Sequence, residues 1–182
     1  SGTAAGNQPG PQRDVTDARG MNEIRIGMFA RTAALLLLVV LICTSFAVAD
    51  GVLVVAPHPD DDIITTSVVI YRSVQNGQAA RVVFMTNCDW AGLSRGLERQ
   101  DEAVTAQVDY LGMTENNLIF LGYPDGYLET LDEDYPGSGD QLVTHNGLST
   151  TYGSRGLGGS DYHSYRFGNP AAYNRQNILV DL

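Results

Sequence analysis

The sequence predicts an open, mainly parallel α/β sheet of the Rossmann-like kind, with helices on both faces. Gly51 to Ala56 is a continuous aliphatic run, as in a strand buried on both faces. Strand-like and helix-like segments alternate after it, the pattern of a parallel sheet with helical crossovers. Glycine signals, Asn76-Gly77 and Gly112, close the helical segments.

The elements follow in order. Gly51 to Ala56 is the first strand. Asp61 to Gln75 reads as a helix, with Ile64, Val68, Tyr71 and Val74 near helical spacing. Arg81 to Thr86 is the second strand. Ser94 to Leu111 is a second helix, with Ala103, Ala106, Val108 and Leu111 among its apolar positions. Leu118 to Leu121 is a short third strand. Residues 123–168 are crowded with Gly, Asp, Tyr and Ser and read as a long insertion, a kind of loop that is usually functional. Its aromatic residues, with Tyr173 beyond it, are expected to fill the loop before they stack on any ligand. Asn169 to Leu182 looks helical again, with Asn169 as its cap and Pro170 in its first turn.

The N-terminal part differs in character. Residues 1–27 are rich in Gly, Pro, Ala and polar residues without periodicity. They are expected to be disordered, or an artefact upstream of the true start. Residues 28–49 follow the plan of a secretory signal peptide: Arg31, an apolar core from Ala33 to Cys43, then Ala47-Val48-Ala49 as a small-x-small cleavage signal. The expected protein is exported and begins at Asp50. A membrane anchor through residues 32–49 is the alternative, since that stretch is nearly long enough to span. Residues 50–182 are then the folded domain.

Charge narrows the function. The chain holds 21 acidic residues and 11 basic ones, all arginine, for a formal charge of -10. Without lysine there is no Schiff base, phosphate-loop lysine or Ser-Lys dyad. The acidity argues against a nucleic-acid partner and is compatible with a neutral or amino-sugar substrate. Two cysteines, Cys43 and Cys88, make no disulfide framework. Cys88 reads as a small core residue.

Chemistry concentrates in His58-Pro59-Asp60-Asp61-Asp62, at the carboxyl end of the first strand. Ligands bind at that end of an open parallel sheet. One aspartate would serve as an N-cap, where the helix dipole favours negative charge. Three aspartates and a histidine exceed that need. Imidazole and carboxylate are usual zinc ligands, and His58 and Asp61, three apart across a tight turn, can converge on one ion. Asp60 then lies beside the bound water as a base, which makes a hydrolase site. Magnesium held by Asp60, Asp61 and Asp62 is an alternative that His58 disfavours.

These residues resemble the PIG-L/LmbE family of zinc-dependent de-N-acetylases. Two further segments carry the resemblance. Arg99 to Gly112, RQDEAVTAQVDYLG, is similar to the family's RxxExxxAxxxLG helix. Leu121 to Gly126, LGYPDG, is similar to its strand-end FPDG segment. The resemblance spans roughly residues 51 to 130 and implies a role for each matched position. His58 and Asp61 match zinc ligands. Asp60 matches the general base. Arg99 and Asp125 match substrate-contacting residues. Asp62 stands where the family usually has glutamate. The implied activity is removal of an acetyl group from an N-acetylated amino sugar or its conjugate, with Zn2+ as cofactor. The family's third ligand is a histidine in a distal HxxH-type motif, which this sequence lacks. The expectation is a chain cut short of that histidine, with the sheet incomplete at its C-terminal end. The other readings are substitution by His145 or His163, or a carbohydrate-binding protein without hydrolysis.

Overall fold

A computed structural model describes Gly2 and residues 51–182. The expected signal peptide or anchor, the upstream segment and Cys43 lie outside the described residues.

The chain forms the expected parallel sheet. Strands β1 (Gly51–Ala56), β2 (Ala79–Thr86) and β3 (Leu118–Tyr123) lie in the order β1-β2-β3, both pairs parallel. Helix α1 (Asp61–Gln75) joins β1 to β2, and α2 (Leu93–Thr105) follows β2. Both pack on one face. There Ile70, Ala103 and Val104 meet Ala56, Ala80, Val82, Phe84 and Phe120, and the Phe84 and Phe120 rings stack at 4.8 Å. Alternation along β2 sends Val83 and Met85 to the opposite face. That face is covered by α3 (Leu128–Glu133), α4 (Tyr162–Phe167) and α5 (Arg175–Asp181). Helices therefore cover both faces. The cover stops short of β1, where Leu53 is 64% exposed and Val55 49%.

Three expectations are corrected. The second helix ends as an α-helix at Thr105 and continues as one wide π-turn, Ala106–Tyr110. The insertion is not a bare loop: it contains α3 and α4, and its first residue, Tyr123, completes β3. The last helix does not begin at Asn169. Residues 171–173 are tied to 149–151: Thr151 and Tyr173 donate backbone N–H groups to Ala171 and Ser149 at 2.8 and 3.0 Å. The Ala171 N–H also reaches Thr151 Oγ1 at 2.8 Å. Backbone engaged in this antiparallel contact cannot close helical turns. The helix starts at Arg175, where Asn174 accepts from the Asn177 N–H at 2.8 Å as its cap.

The aromatic residues divide. Tyr173 is fully buried in the second core and Tyr162 packs against it. Tyr165 and Phe167 remain exposed on α4. A buried carboxylate ties this layer together: Asp181 accepts from Tyr123 Oη at 2.7 Å and meets His163 Nδ1 at 2.8 Å.

Candidate active site

Parallel pairing builds the site. Ala56 lies opposite Phe84, so β1 and β2 end side by side. The Thr86 N–H and Oγ1 both donate to the Pro57 carbonyl, at 3.0 and 2.8 Å. This seats His58 next to the Asn87-Cys88-Asp89 segment. The Asn87 N–H donates to the Tyr123 carbonyl at 3.3 Å, which brings in the end of β3 and the Asp125 turn. Three strand ends thus converge at the position where open parallel sheets bind ligands.

His58 is the centre. Its Nδ1 lies 3.0 Å from Asp61 Oδ2, and its Nε2 lies 3.0 Å from Asp125 Oδ1. The His58 backbone N–H also donates to Asp61 Oδ2 at 3.1 Å. Both ring nitrogens face acceptors. An imidazole satisfies both only as the cation, or with a metal cation in place of one proton. Burial works against the charged ring, and the bonds to Asp61 and Asp125 outweigh it, so the His58 pKa is raised.

Asp60 occupies the N-cap position of α1, yet its side chain makes no capping bond. The capping role does not account for its carboxylate. Asp62 points the other way. It is 1% exposed and accepts from Gln107 Nε2 on the π-turn. Its other oxygen and Gln107 Oε1 have no partner among the described residues. Burial raises the Asp62 pKa, with hydrogen bonds opposing. Asp62 thus anchors the motif to the following helix and does not join the His58 group.

Asp125 is also held in place. Its N–H donates to Asp89 Oδ1 at 2.8 Å, and Tyr152 Oη donates to Asp89 Oδ2 at 3.0 Å. Asn87 extends this scaffold, donating to the Tyr152 carbonyl at 3.0 Å and accepting from Gln100 Nε2 at 2.9 Å. The insertion is thereby fastened to the strand ends.

Cys88, expected as a small core residue, lies instead at the site. Its thiol, one His58 nitrogen and one Asp125 oxygen all lie within 4.8 Å of one another. Its φ is +53°, the only positive φ of a non-glycine residue among the described ones. Such backbone costs about 1–2 kcal/mol in an L-residue and clusters at functional sites. Burial and the carboxylates of Asp125, Asp60 and Asp61 push the thiol up to about 11, against the pull of Arg99. Nitrogen, oxygen and sulfur donors in one group suit a borderline-soft divalent ion such as zinc.

Of the sequence-derived residues, the structure therefore gathers His58, Asp61 and Asp125. Asp60 sits in the same turn. The Arg99 guanidinium pairs with Glu102 at 2.8 Å on α2. His163 is spent on Asp181, outside the metal-capable group. His145 Nδ1 meets Tyr127 Oη at 2.9 Å, and its ring lies against Trp90. Cys88, Asp89 and Trp90 were missed as site residues. Their position directly after β2 was the available signal.

No curated protein matches the chain. The family model described as PIG-L, GlcNAc-PI de-N-acetylase, matches residues 53–160, more than half of the 182. That span contains every residue of the His58 group, and the chain belongs to the PIG-L family.

Proposed function

We propose that this protein is a zinc-dependent hydrolase that removes the acetyl group from an N-acetylated amino sugar or its conjugate. The observation that carries the proposal is His58, bracketed by two carboxylates at 3.0 Å with a thiol alongside. His58 and Asp61 would hold the ion. Bound there, zinc supplies Lewis-acid polarisation and acidifies water near neutral pH. Asp60, unspent on capping, accepts the proton of the attacking water. The water oxygen bonds to the acetamide carbon, the C–N bond breaks, and Asp60 returns the proton to the leaving amine. Acetate and a free amine result. Arg99 and Asp125 would contact the sugar, Arg99 after leaving Glu102. Export through residues 28–49 would place the enzyme outside the cytoplasm.

Asp60→Asn tests the roles. It should keep stoichiometric zinc and lose about 10²–10⁴-fold in turnover. Near-normal acetate release from this variant would remove Asp60 as the base.

One observation favours a second arrangement of the same site. Cys88 and Asp125 form a metal-capable group with His58, and Asp125 meets its Nε2, the nitrogen opposite the one that faces Asp61. In this reading they are ligands, and Asp61 orients the imidazole through Nδ1. Cobalt substitution separates the two. A sulfur-to-cobalt charge-transfer band that disappears in Cys88→Ser assigns the thiol to the metal. A cobalt spectrum unchanged by that substitution leaves His58 and Asp61 as the pair.

A further inference from the structure

Trp90 is the single tryptophan of the chain, and it is 57% exposed. It sits at the rim of the site. A Cβ built on Gly126 would come within 2.9 Å of the indole Cε3 and Cζ3 atoms, so the ring lies directly on the Gly126 backbone. Gly126 also has a φ of +76°. Its neighbour Asp125 carries the carboxylate bonded to His58 Nε2. One residue therefore separates the tryptophan's seat from the centre of the site.

The indole is braced. Tyr127 stacks on it at 5.9 Å between centroids, and His145 lies tilted at 4.5 Å. These two are joined in turn, since the His145 N–H donates to Tyr127 Oη at 2.9 Å. The Trp90 carbonyl accepts from Asn146 Nδ2 at 2.9 Å. A scattered exposed aromatic needs no explanation. This one is held by two rings and a side-chain tether, keeps more than half its surface in water, and stands next to carboxylate acceptors.

A pyranose ring matches that combination. Its C–H face is apolar and packs on an aromatic plane. Its hydroxyl edge donates to carboxylates such as Asp125. We propose that Trp90, braced by Tyr127 and His145, is the platform on which the sugar ring of the substrate stacks, and that it sets the preference for a cyclic sugar over an acyclic acetamide. The proposal rests on the de-N-acetylase reading for its substrate class, and its test is separable from that reading.

The full zinc-loaded chain is titrated with N-acetylglucosamine, diacetylchitobiose and N-methylacetamide while tryptophan emission is followed. The sugars should shift the emission saturably, and the acyclic amide should not. In kinetics, Trp90→Ala should raise KM for the sugar about tenfold with kcat nearly unchanged, and Trp90→Phe should restore most of the loss. Zinc stoichiometry should not change in either variant. A saturable shift without acetate release leaves the platform standing and removes the deacetylase reading. Acetate release with unaltered emission, or with an unaltered KM in Trp90→Ala, overturns the platform and leaves the deacetylase reading intact. An equal response to N-methylacetamide also overturns it.

Discussion

Replacing Asp89 with alanine tests how the site is held. Asp89 is 3% exposed and is not a member of the His58, Cys88 and Asp125 group. Its two oxygens accept from the Asp125 N–H at 2.8 Å and from Tyr152 Oη at 3.0 Å. The first bond fixes the turn that presents Asp125 to His58. The second fastens the insertion. Hydrogen bonds to a charged acceptor contribute about 1.5–3 kcal/mol each. Burying the carboxylate offsets part of that, and it raises the Asp89 pKa against the pull of those bonds. Asp89→Ala removes both bonds and leaves Tyr152 Oη unpaired, for a net loss of about 3–5 kcal/mol. Asp89→Asn keeps one acceptor for the Asp125 N–H and should lose about 1–2 kcal/mol. Urea denaturation followed by circular dichroism measures both. Zinc titration supplies a second readout: supporting residues of this kind typically alter metal affinity by about 10–100-fold. If Asp89→Ala unfolds within 1 kcal/mol of the parent (about one neutral hydrogen bond) and binds zinc equally well, Asp89 does not organise the site.

Two further outcomes follow from the buried and semi-buried pairs. Asp62→Asn gives the Gln107 carbonyl oxygen an N–H partner, completing a two-bond amide pair, and should stabilise the chain by about 1–2 kcal/mol at neutral pH; a loss of stability in thermal melts would show that the native pair is already satisfied. Glu115 accepts from Arg155 Nε at 2.8 Å, and this bond, with burial opposing and the Gly156 N–H assisting, lowers its pKa. A lowered carboxylate pKa stabilises the fold above the ordinary value near 4.5 and loses that contribution as pH falls through the folded value. The Glu115 side chain is 38% exposed, so Glu115→Gln should cost under about 1 kcal/mol at neutral pH. The gap to the parent should close in acid, and denaturant midpoints that stay separated at low pH would refute the assignment.

Local signals in the sequence located β1 and α1 to the residue. An aliphatic run followed by prolines and aspartates leaves few alternatives, and Asn76-Gly77 ends the helix. The same signals misplaced the last helix. Asn169-Pro170 reads as a helix start, but pairing with residues 149–151, about twenty positions earlier, holds that backbone extended. The π-turn at Ala106–Tyr110 leaves no trace in a pattern of period 3.6. His58 and Asp61 were visible because they share one turn. Cys88 was not, because thirty residues separate it from His58 and only the β1–β2 register brings them together. A cysteine looks like any small apolar residue until its backbone conformation and neighbours are known.

Under the proposed function, the His58 group hydrolyses an acetamide with a bound metal. The most direct measurement is acetate and free amine released from an N-acetylglucosaminyl conjugate by the full chain, first stripped by a chelator and then restored with one equivalent of zinc. Equimolar acetate and amine should appear only after zinc is restored, with His58→Ala inactive in both conditions. A zinc-loaded chain that releases neither product, or a stripped chain that releases both at full rate, contradicts it.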